Sequence, residues 1–215
     1  MYFEVLKTRQ RAERHNYSES LALRVHRALS WLKRAEMAED NDARFIFLWV
    51  SFNAAYAQEI DETRRIGEQE AFKQFLEKIC YLDKEKSVDK LVWQEFSGSI
   101  RIMLDNQYLL QAFWDHQSGK ISEEQWQEQL RKEKKIAQFA LGCSNTATLL
   151  GVTFSRLYTL RNQLIHGGAT WNSQVNRQQL KDCVGLLHKF VPLLIETMMD
   201  NPNTLWGEAC YPVVR

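Results

Sequence analysis

The sequence predicts an all-α fold, and three observations carry that reading. Proline and glycine are scarce, 3 and 9 in 215 residues, so the chain has few obligatory breaks. Over long windows the apolar residues recur at intervals of three and four, the period of an amphipathic helix rather than the alternation of a strand. The breaks that do occur are helix punctuation: an acidic Glu39-Asp40-Asn41-Asp42 turn, Ser122 with Gln125 as a capping box, and Gly167-Gly168 as a stop. The expected architecture is a single helical bundle spanning 1–215, with its core at about 18–104 and 140–200. An insertion at about 105–139 and an extended tail at 201–215 complete it. A chain of this length buries enough apolar surface to fold without a metal or disulfide staple.

The elements follow in order. Leu21, Val25, Ala28, Leu32 and Ala35 keep a 4,3,4,3 spacing, with Arg24, Arg27 and Arg34 off the stripe, and predict an amphipathic helix ending before the acidic turn. Asp40 and Asp42 read as helix-start residues. Ala43 to Ala57, ARFIFLWVSFNAAYA, is apolar on nearly every side and predicts a helix in the middle of the bundle. Asn53 is its exception: a buried amide needs partners, so it either clamps a neighbouring helix or faces a polar cleft. Phe72, Phe75, Leu76 and Ile79 mark a third helix, and Val88, Leu91, Val92 and Phe96 a fourth. The 105–139 stretch carries aromatic Tyr108, Phe113 and Trp114, a Ser-Gly-Lys turn and a short helix after Ser122. A helix from about Thr146 to His166 buries Leu157, Leu160 and Leu164. A last helix begins near Ser173 and runs through Leu180, Leu187 and Leu194 to Met198, with Pro192 expected to kink it. In the tail, Trp206 and Tyr211 are placed to dock back onto the bundle.

Charge and cysteine usage exclude several classes. With 28 Lys plus Arg against 27 Asp plus Glu, net charge identifies no partner. Its distribution is more informative: from Lys134 to Lys181 there is no Asp or Glu, while Lys134, Lys135, Arg156, Arg161, Arg177 and Lys181 fall there. That is either a positive field suited to a phosphate-bearing ligand or an accident of composition in a partly buried segment. Cys80, Cys143, Cys183 and Cys210 form no Cys-x-x-Cys pair, which suggests neither zinc ribbon nor redox centre and fits a cytoplasmic location. No stretch has the length and apolarity of a spanning helix, and the N-terminus has no uncharged core of a signal peptide, so no membrane association is expected. The chain lacks a phosphate-binding Gly-x-x-x-x-Gly-Lys-Ser/Thr loop, a His-Glu-x-x-His pair and a Gly-x-Ser-x-Gly elbow. His15, His26, His116 and His188 have no companions at ligand spacing, so neither metal nor cofactor is expected.

The chemistry concentrates in RLYTLRNQLIHGGATWN, Arg156 to Asn172. Ser155, Thr159, Asn162 and His166 recur at spacings of 4, 3 and 4, a polar stripe ending at the histidine. Arg161 precedes His166 by five positions, about 140° around a helix of 3.6 residues per turn, so the two converge only across an open cleft. Arginine with histidine is a minimal kit for cutting RNA without metal. Imidazole, with an ordinary pKa near ~6.5, takes the 2′-hydroxyl proton or protonates the leaving oxygen, while guanidinium neutralises the phosphorane. One histidine cannot easily serve as both acid and base, which makes a two-fold dimer part of the mechanism.

Arg161-Asn162-x-x-x-His166 in the penultimate helix of an all-α chain resembles the Arg-x4-6-His signature of the HEPN superfamily, the higher eukaryote and prokaryote nucleotide-binding and ribonuclease domain. DARFIFLWVSFNAAYA and RLYTLRNQLIHGGATWNS are also similar to stretches of bacterial HEPN proteins. The resemblance runs from the first strong helix to the YPVV tail. It implies a bundle of four to five core helices, usually a homodimer with two motifs facing one cleft. It further implies a metal-independent endoribonuclease acting on RNA, often a toxin or phage-defence effector, with an antitoxin or regulatory protein as partner. Arg161, Asn162 and His166 become the catalytic candidates, and Arg156, Thr159, Arg177 and Asn53 the substrate-binding ones. The alternative is a non-catalytic dimer that binds a nucleotide or a protein. In its plainest form Arg161 pairs with a carboxylate, Asn162 caps a loop and His166 merely finishes a helix.

Overall fold

The computed structural model describes residues 1–56, 68–174 and 177–211, and among these the protein is all-helical, without a β-strand. In chain order the helices are α1 (Tyr2–Glu13), α2 (Glu19–Glu36), α3 (Asn41–Tyr56), α4 (Glu68–Leu82) and α5 (Ser87–Lys90), which continues as a π-turn, Leu91–Glu95. They are followed by α6 (Ser97–Asp105), α7 (Gln111–Gln117), α8 (Glu123–Gly142), α9 (Thr146–Ile165) and α10 (Arg177–Asp200). Ala57 and residues 212–215 of the expected tail lie outside the described residues. Among the described residues no helix is long and apolar enough to cross a membrane.

Helix α3 occupies the centre, packed between α2 and α10 on one side and α9 on the other. Phe45, Leu48, Trp49 and Phe52 bury one face of it, and Ile46, Phe47 and Ala54 are partly buried against the same core, so apolar residues serve on several sides. Phe52 packs at a tilt on Phe154 of α9, their ring centres 4.8 Å apart, and Phe154 meets Phe190 of α10 at 5.1 Å, so three helices share one aromatic core. The α2 stripe, Leu21 to Ala35, is wholly buried against it. Local caps fix where helices start. Ser18 Oγ accepts from the Leu21 N–H at 3.2 Å, Asp40 Oδ1 from Ala43 at 2.8 Å, and Ser122 and Gln125 form the expected reciprocal box.

Four features differ from the sequence expectation. The N-terminal segment is a helix, α1, whose narrow buried stripe of Phe3, Leu6 and Gln10 is hidden in the text by surrounding charge. The helix after Ser122 is twenty residues long, and Ala137 and Ala140 bury its second half, so it runs unbroken through the 139 boundary of the expected insertion. Ser173 lies in a turn, and α10 spans Arg177–Asp200 with Pro192 inside it. Arg24, expected off the apolar stripe, is buried, because it donates to Ala55 O at 2.8 Å and to Glu208 O at 2.6 Å. Arg27 holds Cys210 O and Tyr211 O, each at 2.6 Å, so two arginines of α2 dock the tail by its carbonyls. Trp206 is buried there as expected, whereas the Tyr211 side chain stays exposed.

Candidate functional site

Helix α9 begins at a cap in which Asn145 Oδ1 accepts from the Thr148 N–H at 3.0 Å. Leu149, Phe154, Leu157 and Leu160 then bury its inner face. At its far end the His166 N–H still bonds to Asn162 O at 3.0 Å, and the chain turns at Gly167 with φ +70°. Nothing lies within 4 Å of a Cβ added there, so glycine is required by the left-handed backbone and not by space. The Gly167 N–H reaches Leu164 O at 3.4 Å and the Ala169 N–H reaches Gln163 O at 3.0 Å, which satisfies two end carbonyls and folds the loop over the last turn. His166 is therefore held by its backbone at an exposed helix end, its ring in solvent.

Arg161 and Asn162 act as a unit. The Arg161 Nη1 donates to Asn162 Oδ1 at 2.9 Å, and its guanidinium lies 5.7 Å from the centre of the Tyr158 ring, one turn back on the same face. Its Nε is buried without a hydrogen-bond partner, and among the described residues no carboxylate pairs with it. The guanidinium is positioned by a neutral amide and a ring while its charge stays uncompensated. Arg161 lies on α9 and His166 caps its C-terminus five positions on, so the two do not share one face of the helix.

The remaining candidates divide differently. Arg156 is 1% exposed, its Nη2 3.1 Å from Glu133 Oε2 of α8. Arg177 makes a two-pronged pair with Asp42, at 2.5 and 2.9 Å, which ties the start of α10 to the start of α3. Thr159 is buried and its hydroxyl donates back to Ser155 O at 3.2 Å. Asn53 is half-buried on α3, and among the described residues its amide has no hydrogen-bond partner. The stripe of Ser155, Thr159, Asn162 and His166 is accordingly not one open row. The positive field expected from the acid-free span is also reduced, because the fold brings Glu133, Asp42 and Asp105 to Arg156, Arg177 and Lys134.

A cavity of about 450 Å³ between α4, α8 and α9 is walled by Phe72, Ile136, Phe154 and Tyr158, with Lys73 and Lys132 also lining it. Ser155 lines it, and Tyr158 connects it to Arg161. A larger cavity, about 860 Å³, lies beside α1 and α10 and contains no residue of the motif. Tyr158 and Gln163 escaped the sequence reading. Both lie in the quoted stretch, and the signal for Tyr158 was its place three residues before Arg161. Gln163 Nε2 donates to Tyr108 O at 2.8 Å and fastens the 105–117 segment to the motif turn. Among the described residues no three His, Cys, Asp or Glu side chains converge as a metal site. Comparison with family models, curated proteins and solved structures finds no match for this chain.

Proposed function

We propose that the protein is a metal-independent endoribonuclease of the HEPN type, working as a two-fold dimer in which the motifs of two copies face one cleft. The observation that supports this most is the state of Arg161. Arg156 and Arg177 are committed to carboxylates, whereas Arg161 has none among the described residues and is steadied by Asn162 and Tyr158. The non-catalytic alternative in its plainest form needs that arginine paired.

In the proposed reaction the imidazole of one His166 takes the proton of an RNA 2′-hydroxyl, and the resulting oxygen attacks the adjacent phosphorus. The bond to the 5′-oxygen breaks, and that oxygen receives a proton from the partner copy's imidazolium. The products are a 2′,3′-cyclic phosphate and a 5′-hydroxyl. The planar Arg161 fork neutralises the equatorial oxygens as charge develops. A toxin or phage-defence role, with an antitoxin or regulatory partner, belongs to the same family reading.

The test is incubation of purified protein with mixed RNA in EDTA, with light scattering on the same samples. Wild type is expected to be a dimer that cleaves, His166→Ala to be inactive, and Arg161→Lys to lose about a hundredfold or more. A folded dimer that binds RNA or a nucleotide and cuts nothing would replace this reading with the binding module. A strict monomer, unchanged by RNA, would remove the composite site.

A further inference from the structure

We propose that Tyr108, Trp114 and Trp171 form a base-stacking surface around His166, so that the site takes single-stranded RNA with its bases laid on these rings and excludes duplex. The inference rests on the phosphate site proposed above and assigns a role to the 105–117 segment.

One carbonyl organises the first half of the surface. Tyr108 O accepts both from Gln163 Nε2 and from the Trp114 indole N–H, each at 2.8 Å. Gln163 stands in the last turn of α9, three residues before the His166 cap, so the segment is anchored to the helix end that carries the histidine. Phe113 supports the two outer rings from behind, edge-to-face at 5.3 Å to each, and itself rests on Trp126 at 5.5 Å. The rings are thus braced, yet Tyr108 is 45% and Trp114 39% exposed. Trp114 has already used its one polar hydrogen, and what remains is ring face.

The second half follows the motif in the chain. Trp171 is 70% exposed, at the corner of a turn closed by the Ser173 N–H on Thr170 O at 3.2 Å, with Asn172 at φ +53°. A bare indole there adds nothing to the core; the turn presents it five residues beyond His166. Exposed rings thus belong both to the segment fastened to Gln163 and to the turn that follows the motif in the chain.

Charge does not oppose a polyanion here. The two acids of the segment are paired, Asp115 with Lys120 at 3.3 Å and Asp105 with Lys134 at 2.7 Å, while among the described residues no carboxylate pairs with Arg161. Stacking on aromatic side chains tolerates any base but needs bases free of their own helix; in A-form duplex they are stacked internally and out of reach. Losing one stacked base changes affinity by roughly five- to a hundredfold.

The experiment uses a 2′-O-methyl 12-mer, which lacks the 2′-hydroxyl nucleophile and so reports binding without cleavage. Fluorescence anisotropy compares the single strand with the same strand annealed to its complement. The single strand is expected to bind about tenfold or more tighter than the duplex, and Tyr108→Ala and Trp171→Ala each to weaken it about tenfold. Both substitutions spare the fold: Trp171 lies in an exposed turn, and the organising group at Tyr108 is a backbone carbonyl that alanine retains. Equal affinity for duplex, or unchanged single-strand affinity in both variants, overturns the proposal. Parallel incubation with unmodified RNA separates the two readings. Ring-dependent binding without cleavage upholds the stacking surface and removes the ribonuclease; cleavage with ring-independent binding does the reverse.

Discussion

Replacing Glu133 by glutamine separates the arginine that holds α9 in place from the one left available for chemistry. Arg156 is 1% exposed and lies 3.1 Å from Glu133 Oε2, with only a long 3.5 Å bond to Leu104 O. Its Nε and Nη1 are buried without partners, and Glu133 Oε2 has no aligned hydrogen bond, so the two attract as charges with little directional bonding. Burial pushes the guanidinium pKa down, and Glu133 is the first charge opposing that. Glutamine keeps the shape and deletes the charge, leaving the buried cation with only the weaker influence of Asp105. Breaking such a pair costs about 3–5 kcal/mol. Each kcal/mol moves Tm by about 2–4 °C in a domain of this size, so a fall of roughly 6–20 °C is expected. The 14% exposure of the Glu133 side chain admits some water and favours the lower half of that range. Arg156→Met with Glu133→Leu removes both charges and should return to within about 1 kcal/mol of wild type, since apolar replacements of buried pairs are often neutral or better. Arg161→Ala, which breaks no ion pair, loses a half-exposed hydrogen bond to Asn162 and a cation–π contact, together about 1–2 kcal/mol. Scanning calorimetry reads all four proteins. Glu133→Gln melting within about 2 °C of wild type, or the double variant falling as far as the single, would refute this assignment of Arg156.

Four further outcomes are expected. Gly167→Val should cost more than ~1 kcal/mol, because a β-branched residue resists the φ of +70°. His166→Ala should leave Tm unchanged, and a large fall would make the histidine a structural element. Arg24→Met removes donors to Ala55 O and Glu208 O, so limited chymotrypsin digestion should cut faster at Trp206; an unchanged rate would mean the tail is held otherwise. Burial, first among the causes, lowers the pKa of both His188 and His26, so the unfolded chain takes up protons near pH ~6.5 that the folded chain does not. Stability should be full above that pH and fall on acidification, with Tm lower at pH 5.5 than at 7.5. His188→Gln should flatten the slope, and a Tm that rose on acidification would contradict the assignment.

What the sequence disclosed was local, and what it hid was long-range. The α2 stripe was legible because Leu21 through Ala35 all face one way, and the helix end at His166-Gly167 because glycine and backbone geometry act within a few residues. Arg24 was misplaced because the carbonyls it binds come from Ala55 and Glu208, far along the chain. The acid-free span looked more positive than it is for the same reason: Asp42 lies 135 residues before Arg177, and no linear count anticipates their pairing. Periodicity placed Ser155, Thr159, Asn162 and His166 on one stripe. It could not tell that Thr159 is covered and returns its hydroxyl to its own helix, nor that Asn162 is occupied by Arg161.

The most direct measurement of the central claim is mass spectrometry of fragment ends after wild-type protein has acted on a defined single-stranded RNA in EDTA. The Arg161/His166 mechanism predicts 2′,3′-cyclic phosphate and 5′-hydroxyl ends, none from His166→Ala, and no cleavage of the matching DNA, which lacks the nucleophile. Fragments with 5′-phosphate ends that form only when magnesium is added, or an intact RNA beside a correctly folded dimer, would contradict it.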